Sequence, residues 1–456
     1  MKQRSFLLLL SCLTLAASAA IFFTNQPNTT ANSDGYEETG ARAQWELLRL
    51  RDPATGKIPA DIRRLEREFA STLPQKTHIK KGESTLTSDW TQRGPWNVGG
   101  RTRALAIDIA NEQIILAGGV SGGIWRSTDG GAHWIQTFTS TQMKSVTCIS
   151  QDTRIGKRNI WYCGTGEIWG NSSRLNGDGI LKSIDGGQSW QPLKSTVSGT
   201  PQTWDNAYEF IWNIVTNPTN TTQDEIYAAP ALGSIVRSTD GGATWKNVLG
   251  NFGNEYSYFG DVAISPKGVL YAALSKTAPF GVTSRVKGMY RSTDGVNWTD
   301  ITPKDFPDTC NRITIGISPS DENQVYFIAN TPGSGFKGLG FEGREDWNSL
   351  WKYTYIALDG TGVGGKWENR SQFLPNFSGE FGDFSSQGSY DLFVRVKPDD
   401  PNVVFLGGTN LYRSTDGFSS RNNSTWIGGY KPNTTRPDYE LYPNQHLTNT
   451  NSFFSF

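Results

Sequence analysis

The side chains best suited to chemistry in this sequence are carboxylates. Glu167, Asp178 and Asp261 stand in stretches that read as loops. Two carboxyl groups about 5–10 Å apart would suit hydrolysis of a glycosidic bond, one as acid and one as base or nucleophile. Arg101 and Arg103 precede an apolar run, where they serve either an anionic group in a channel or an ordinary strand end. Glu167 either points into such a channel or accepts backbone bonds at a turn. Trp169, Trp204 and Trp212 lie in Gly- and Asn-rich stretches, where an indole either stacks on a sugar or packs between sheets. His78, His133 and His446 are far apart, and neither H-E-x-x-H nor C-x-x-C spacing occurs. No metal site and no cofactor is therefore expected. Asn176-Gly177-Asp178-Gly179 falls short of a full calcium loop.

Composition narrows the class. The 43 Lys+Arg balance 43 Asp+Glu, giving no basic surplus and no expectation of nucleic-acid binding. There are 50 Gly and 16 Trp against 3 Met, which favours a turn-rich all-β chain. Residues 1–23 carry Lys2 and Arg4, then an apolar run ending in small residues. They read as a secretory signal peptide or an uncleaved anchor, the one route to a membrane. An exported protein at the cell envelope or outside the cell is expected. Cleavage removes Cys12 and leaves Cys148, Cys163 and Cys310, too few for a disulfide scaffold. Cys148 and Cys163 lie in neighbouring strand-like runs, as a cross-strand disulfide or as two buried thiols.

Positioning elements come next. Residues 24–90 read as a polar spacer, two amphipathic helices and a linker. Ala41, Trp45 and Leu48 make one apolar stripe, and Ile62, Leu65, Phe69 and Leu73 another, with Pro74 as a stop. Such short helices should dock on the main body or a partner. From residue 91 the period changes to short apolar runs punctuated by Asp, Pro, Gly and Asn.

Within that region a box recurs. Ser127, Asp129, Gly131 and Trp134 form the first Ser-x-Asp-x-Gly-x-x-Trp copy. Ser183, Asp185, Gly187 and Trp190 form the second, and Ser238, Asp240, Gly242 and Trp245 the third. Ser292, Asp294 and Trp298 make a fourth, one residue short. Ser414 and Asp416 open a fifth, whose Trp426 comes late. The first spacings are 56, 55 and 54 residues, and the last gap of 122 holds a degenerate copy around Trp351 and Trp367. Each unit contains roughly four short strands, the mark of a β-propeller. Residues 91–456 make 366/55, or about 6.7 units. Six to seven blades are expected, in a ring that is incomplete at the C-terminal end. The box itself reads as a hairpin clip: Asp accepts backbone N–H groups, Gly allows positive φ, and Trp enters the next strand.

Ser-x-Asp-x-Gly-x-x-Trp is the Asp-box, or BNR repeat, and the chain resembles Asp-box propellers over residues 36–430. These include sialidases, xyloglucanase-type glycosidases and sortilin-type propellers. The run from Trp90 to Ala104, with Gly164-Thr165-Gly166-Glu167, is most similar to exported Bacteroidetes-type propeller proteins. The resemblance implies that the boxes lie at the blade periphery and that the chain of such proteins usually continues further. A sialidase Arg-Ile-Pro motif is replaced here by Lys57-Ile58-Pro59, which reads as a helix start. The resulting expectation is a non-catalytic module at the cell surface that binds protein or glycan ligands through Arg101, Arg103, Glu167 and Trp169. The alternative is a sialidase-like or xyloglucanase-like glycoside hydrolase.

Overall fold

The computed structural model describes residues 41–72, 101–139, 142, 145–167, 175–199, 206–231, 234–250, 259–275, 286–339, 343–377 and 382–430. The expected signal stretch 1–23, Leu73, Pro74, Trp169, Trp204 and the residues after 430 lie outside them. The chain divides into two compact units, 1–57 and 58–456. In the first, helix α1 (Ala41–Leu50) keeps Trp45 and Leu48 exposed, with the Arg49 guanidinium over the Trp45 ring at 4.6 Å.

The second unit begins with helix α2 (Ile62–Thr72) and continues as a six-blade, all-β propeller of antiparallel sheets. Blade 1 comprises Thr102–Asp108, Asn111–Gly119, Gly123–Ser127 and Ile135–Gln136. Blades 2 to 6 open with Val146–Gln151, Ile211–Thr216, Gly260–Ile264, Ile313–Ile317 and Phe393–Lys397. The opening strands of successive blades pack beside one another and form the inner ring. Five sheets have four strands and blade 5 has five. Its long strand Glu345–Tyr355 pairs with both Phe336–Leu339 and Gly365–Asn369. The degenerate copy around Trp351 and Trp367 is thus a true blade.

The second strands explain the apolar runs. Trp161–Thr165, Ile226–Pro230 and Leu270–Leu274 are buried along their whole length, because each sheet is covered on both faces by its neighbours. Apolar clusters join blades 1 and 2, 2 and 3, 3 and 4, 4 and 5, and 5 and 6. Blade 6 meets blade 1 through polar groups: Arg101 Nη1 donates to the Tyr390 hydroxyl at 2.9 Å. Register settles the cysteines. Cys148 pairs with Gly164, and Cys163 with Ile149, so the two thiols enter different inter-blade clusters. Neither is in a disulfide and both are buried, as holds for Cys310.

The recurrent turn joins the third and fourth strands, at the far side of each sheet from the inner ring. In blade 3, Ser238 Oγ donates to Asp240 Oδ1 at 2.7 Å, while Gly242 N–H donates to Ser238 Oγ at 2.8 Å. Thr244 N–H closes the turn on Asp240 Oδ1 at 2.9 Å. Blades 1, 2, 4 and 6 repeat the Ser–Asp bond at 2.7 to 3.1 Å. Gly242 has φ +94°, and a Cβ there would lie 2.3 Å from Leu193 of the preceding blade. In blade 6 Phe418 holds that place at φ +57° and is fully buried.

Exposure varies among the recurrent indoles and along helix α2. The indole of the box is not uniformly buried: Trp190 is 1% exposed, against Phe138 of blade 1, whereas Trp134 is 37% exposed. The α2 stripe does not bury itself either, with Phe69 67% exposed. Polar contacts hold that segment: Asp61 N–H donates to Gly199 O at 2.9 Å and Arg67 Nη1 to Gln142 O at 3.1 Å.

Candidate functional site

The N-terminal ends of the inner strands gather charged side chains that are remote in sequence. Arg103, on the first strand of blade 1, places Nε 3.6 Å from Glu167 Oε2 of blade 2, whose side chain is 1% exposed. Its guanidinium lies over the Tyr390 ring at 4.9 Å, and Nη1 donates to Tyr390 O at 3.4 Å. Arg312, just before the first strand of blade 5, donates from Nη1 to Tyr390 O at 2.8 Å and to Ser389 O at 3.3 Å. Asp391 follows Tyr390 and leads into the first strand of blade 6. Three arginines, a tyrosine and two carboxylates therefore converge at the channel mouth.

Their electrostatics divide the carboxylates. Burial pushes Asp391 up to about 6, against the pull of Arg103, Arg312 and Arg101, and Glu167 adds to the rise. Arg312 is lowered to about 9, first by burial and then by repulsion from Arg103. Asp391 thus holds its proton up to about pH 6 beside fixed positive charge.

A buried network positions the segment that carries Tyr390 and Asp391. Asp346 accepts from Asn330 Nδ2 at 2.8 Å and from Ser385 Oγ at 2.8 Å, and Ser386 Oγ lies 3.2 Å from both of its oxygens. Ser389 N–H donates to Ser386 Oγ at 3.0 Å, and Asp391 N–H to Ser386 O at 3.0 Å. Gln387 and Ser389 have φ +51° and +79°, a left-handed run that costs about 1–3 kcal/mol per residue. The buried hydrogen bonds hold it.

The residues expected from the sequence fare differently. Arg101, Arg103 and Glu167 come together here, and Trp169 lies outside the described residues. Asp261 is not a loop carboxylate: it stands on the first strand of blade 4 and is buried. It accepts from Asn213 Nδ2 at 2.8 Å, Val262 N–H at 2.9 Å and Ile315 N–H at 3.0 Å, fastening blades 3, 4 and 5. Asp178 donates its N–H to Thr165 Oγ1 at 2.8 Å, in the segment entering the third strand of blade 2. Trp212 is a core residue, edge-on to Phe210 at 4.3 Å, with the Arg312 guanidinium 5.3 Å from its ring. Arg312, Tyr390 and Asp391 escaped the sequence reading. Their signal was positional, since each stands within three residues before the opening strand of a blade, as Arg101 does.

No known family model matches the chain. Its curated relatives include xyloglucanase Xgh74A of Acetivibrio thermocellus, 24% identical over 257 residues, covering 51% of this chain and 29% of that protein. A xyloglucanase of Hypocrea jecorina is 28% identical over 255 residues, covering 54% of this chain and 23% of that protein. Among solved structures, the GH74 enzyme of Niastella koreensis superposes with a TM-score of 0.50 at 19% identity, over 71% of this chain and 46% of that one. Both curated relatives are glycoside hydrolases. This overturns the expectation of a non-catalytic binding or scaffold module and favours the hydrolase alternative. The chain spans less than a third of the length of these curated relatives. The structural likeness shows the propeller fold.

Proposed function

We propose that the chain is a glycoside hydrolase, or the propeller portion of one, acting on a β-linked glucan of the xyloglucan type. The observation that carries this reading is its likeness to xyloglucanases over about half the chain. The channel mouth supplies a chemistry that fits. Asp391, raised to about 6, acts as proton donor to the leaving oxygen. Glu167, beside Arg103, is the second carboxylate and stabilises positive charge developing on the sugar ring. The Ser-x-Asp turns belong in this reading to the Asp-box repeat and serve folding. Export belongs to it as well, because a polysaccharide of this size is met outside the cell.

Incubating the full chain with xyloglucan and resolving the products by chromatography tests the proposal. Release of oligosaccharides, lost in Asp391→Asn, is the expected outcome. Intact polymer after prolonged incubation of folded protein would refute it.

A further inference from the structure

Charge at the channel mouth is unbalanced. Arg101, Arg103 and Arg312 all address Tyr390, and among the described residues Glu167, Asp391 and Asp261 oppose them, with Asp261 shared between Arg312 and a fourth arginine, Arg395. Glu167 is engaged by Arg103 at 3.6 Å. Arg312 spends its described hydrogen bonds on the neutral carbonyls of Ser389 and Tyr390. Arg101 is exposed, and its described hydrogen bond goes to a neutral hydroxyl, leaving most N–H groups of its planar fork for a ligand. Such a fork matches the two oxygens of a carboxylate. Burial, and then repulsion from Arg103, lowers Arg312 even with Asp261, Asp391 and Glu167 nearby.

We infer that the channel mouth contains a subsite for the carboxylate of an acidic sugar, a hexuronate residue of a glycan, with Arg101 as the contacting fork and Arg103 and Arg312 as fixed charges behind it. The sugar part rests on the hydrolase reading above, while the carboxylate part rests on the arginines. Arg101 can adjust to the ligand because it is exposed. Arg103 and Arg312 cannot, since each is tied to the backbone of Tyr390. The subsite is therefore preformed on the sides of blades 1 and 5 and completed by one movable side chain.

Calorimetric titration of the full chain with D-glucuronate and with D-glucose tests the inference, because binding is read without turnover. Glucuronate should bind at least tenfold more tightly than glucose, and added salt should weaken it. Arg101→Gln should lower its affinity at least tenfold with the sheet signal in circular dichroism retained, and Arg101→Lys should restore part of it. Equal binding of the two sugars, or indifference to Arg101→Gln, would overturn the subsite. So would a preference for a short peptide with a free C-terminus over its amide and over glucuronate, which would assign the arginines to a peptide. The two readings separate cleanly. Xyloglucan cleavage without glucuronate binding removes the subsite alone, and glucuronate binding without cleavage removes the hydrolase alone.

Discussion

Aspartate does two opposite jobs in this protein, and pH separates them. In the recurrent turns it is held ionised. The His133 backbone N–H and side chain lower Asp129 to about 2. Desolvation opposes the effect at Asp240, but the Thr244 hydroxyl and N–H prevail and bring it to about 2. A carboxylate whose folded pKa is depressed adds stability above its unfolded value, near 4, and loses it as pH falls toward 2. Acid unfolding between pH 4 and 2 should therefore become less steep in Asp240→Asn, as followed by circular dichroism. Asp391 has the reverse sign. Its folded pKa of about 6 means the native state keeps a proton that the unfolded chain has lost, so its contribution to stability declines from pH 4 to pH 6. The two kinds of aspartate were not equally legible. Ser238, Asp240 and Gly242 interact within a single turn, so their spacing is written locally and repeats. Asp391 and Arg312 acquire their properties from burial and from side chains on other blades, which leaves no local pattern.

At the scale of the element, the turn and the loop at the channel mouth are both built around positive φ, and sequence exposes one of them. A glycine pair in a repeated box announces its backbone; Gln387 and Ser389 do not. Gly130 and Gly242 differ in surroundings. A Cβ at Gly130 would approach the end of Gln113 at 3.1 Å, a side chain free to move, whereas at Gly242 it would meet Leu193 at 2.3 Å in the seam between blades. Urea unfolding should show a loss of about 1 kcal/mol for Gly130→Ala and about 3 kcal/mol for Gly242→Ala. The loop depends instead on Asp346. Asp346→Ala leaves Asn330, Ser385 and Ser386 without their shared acceptor. Hydrolysis should fall at least tenfold through kcat, with the sheet signal in circular dichroism retained.

Across the whole molecule, apolar clusters hold neighbouring blades together and polar staples set their register. Arg154 of blade 2 reaches Asp224 Oδ1 at 2.6 Å and Asn220 O at 2.6 Å, both in blade 3, while its Nη2 also meets Asp152 Oδ2 at 2.5 Å. Asp152 is almost wholly buried. Arg154→Ala strands that charge and should cost about 3 kcal/mol, read as a lower urea midpoint. The radial stacking of four-stranded units was visible in the sequence because each unit repeats its own pattern. The meeting of blade 6 with blade 1 was not, because it runs through Arg101, Arg103 and Tyr390, which recur nowhere else.

The most direct measurement is the pH dependence of kcat/KM on a xyloglucan oligosaccharide for the wild type, Asp391→Asn and Glu167→Gln. If Asp391 donates the proton, the wild-type rate declines above a pKa near 6. Asp391→Asn should fall at least a hundredfold and lose that limb, while Glu167→Gln should lose rate but keep it. A wild-type profile flat from pH 5 to 8, or full activity in folded Asp391→Asn, would contradict the assignment of catalysis to the channel mouth.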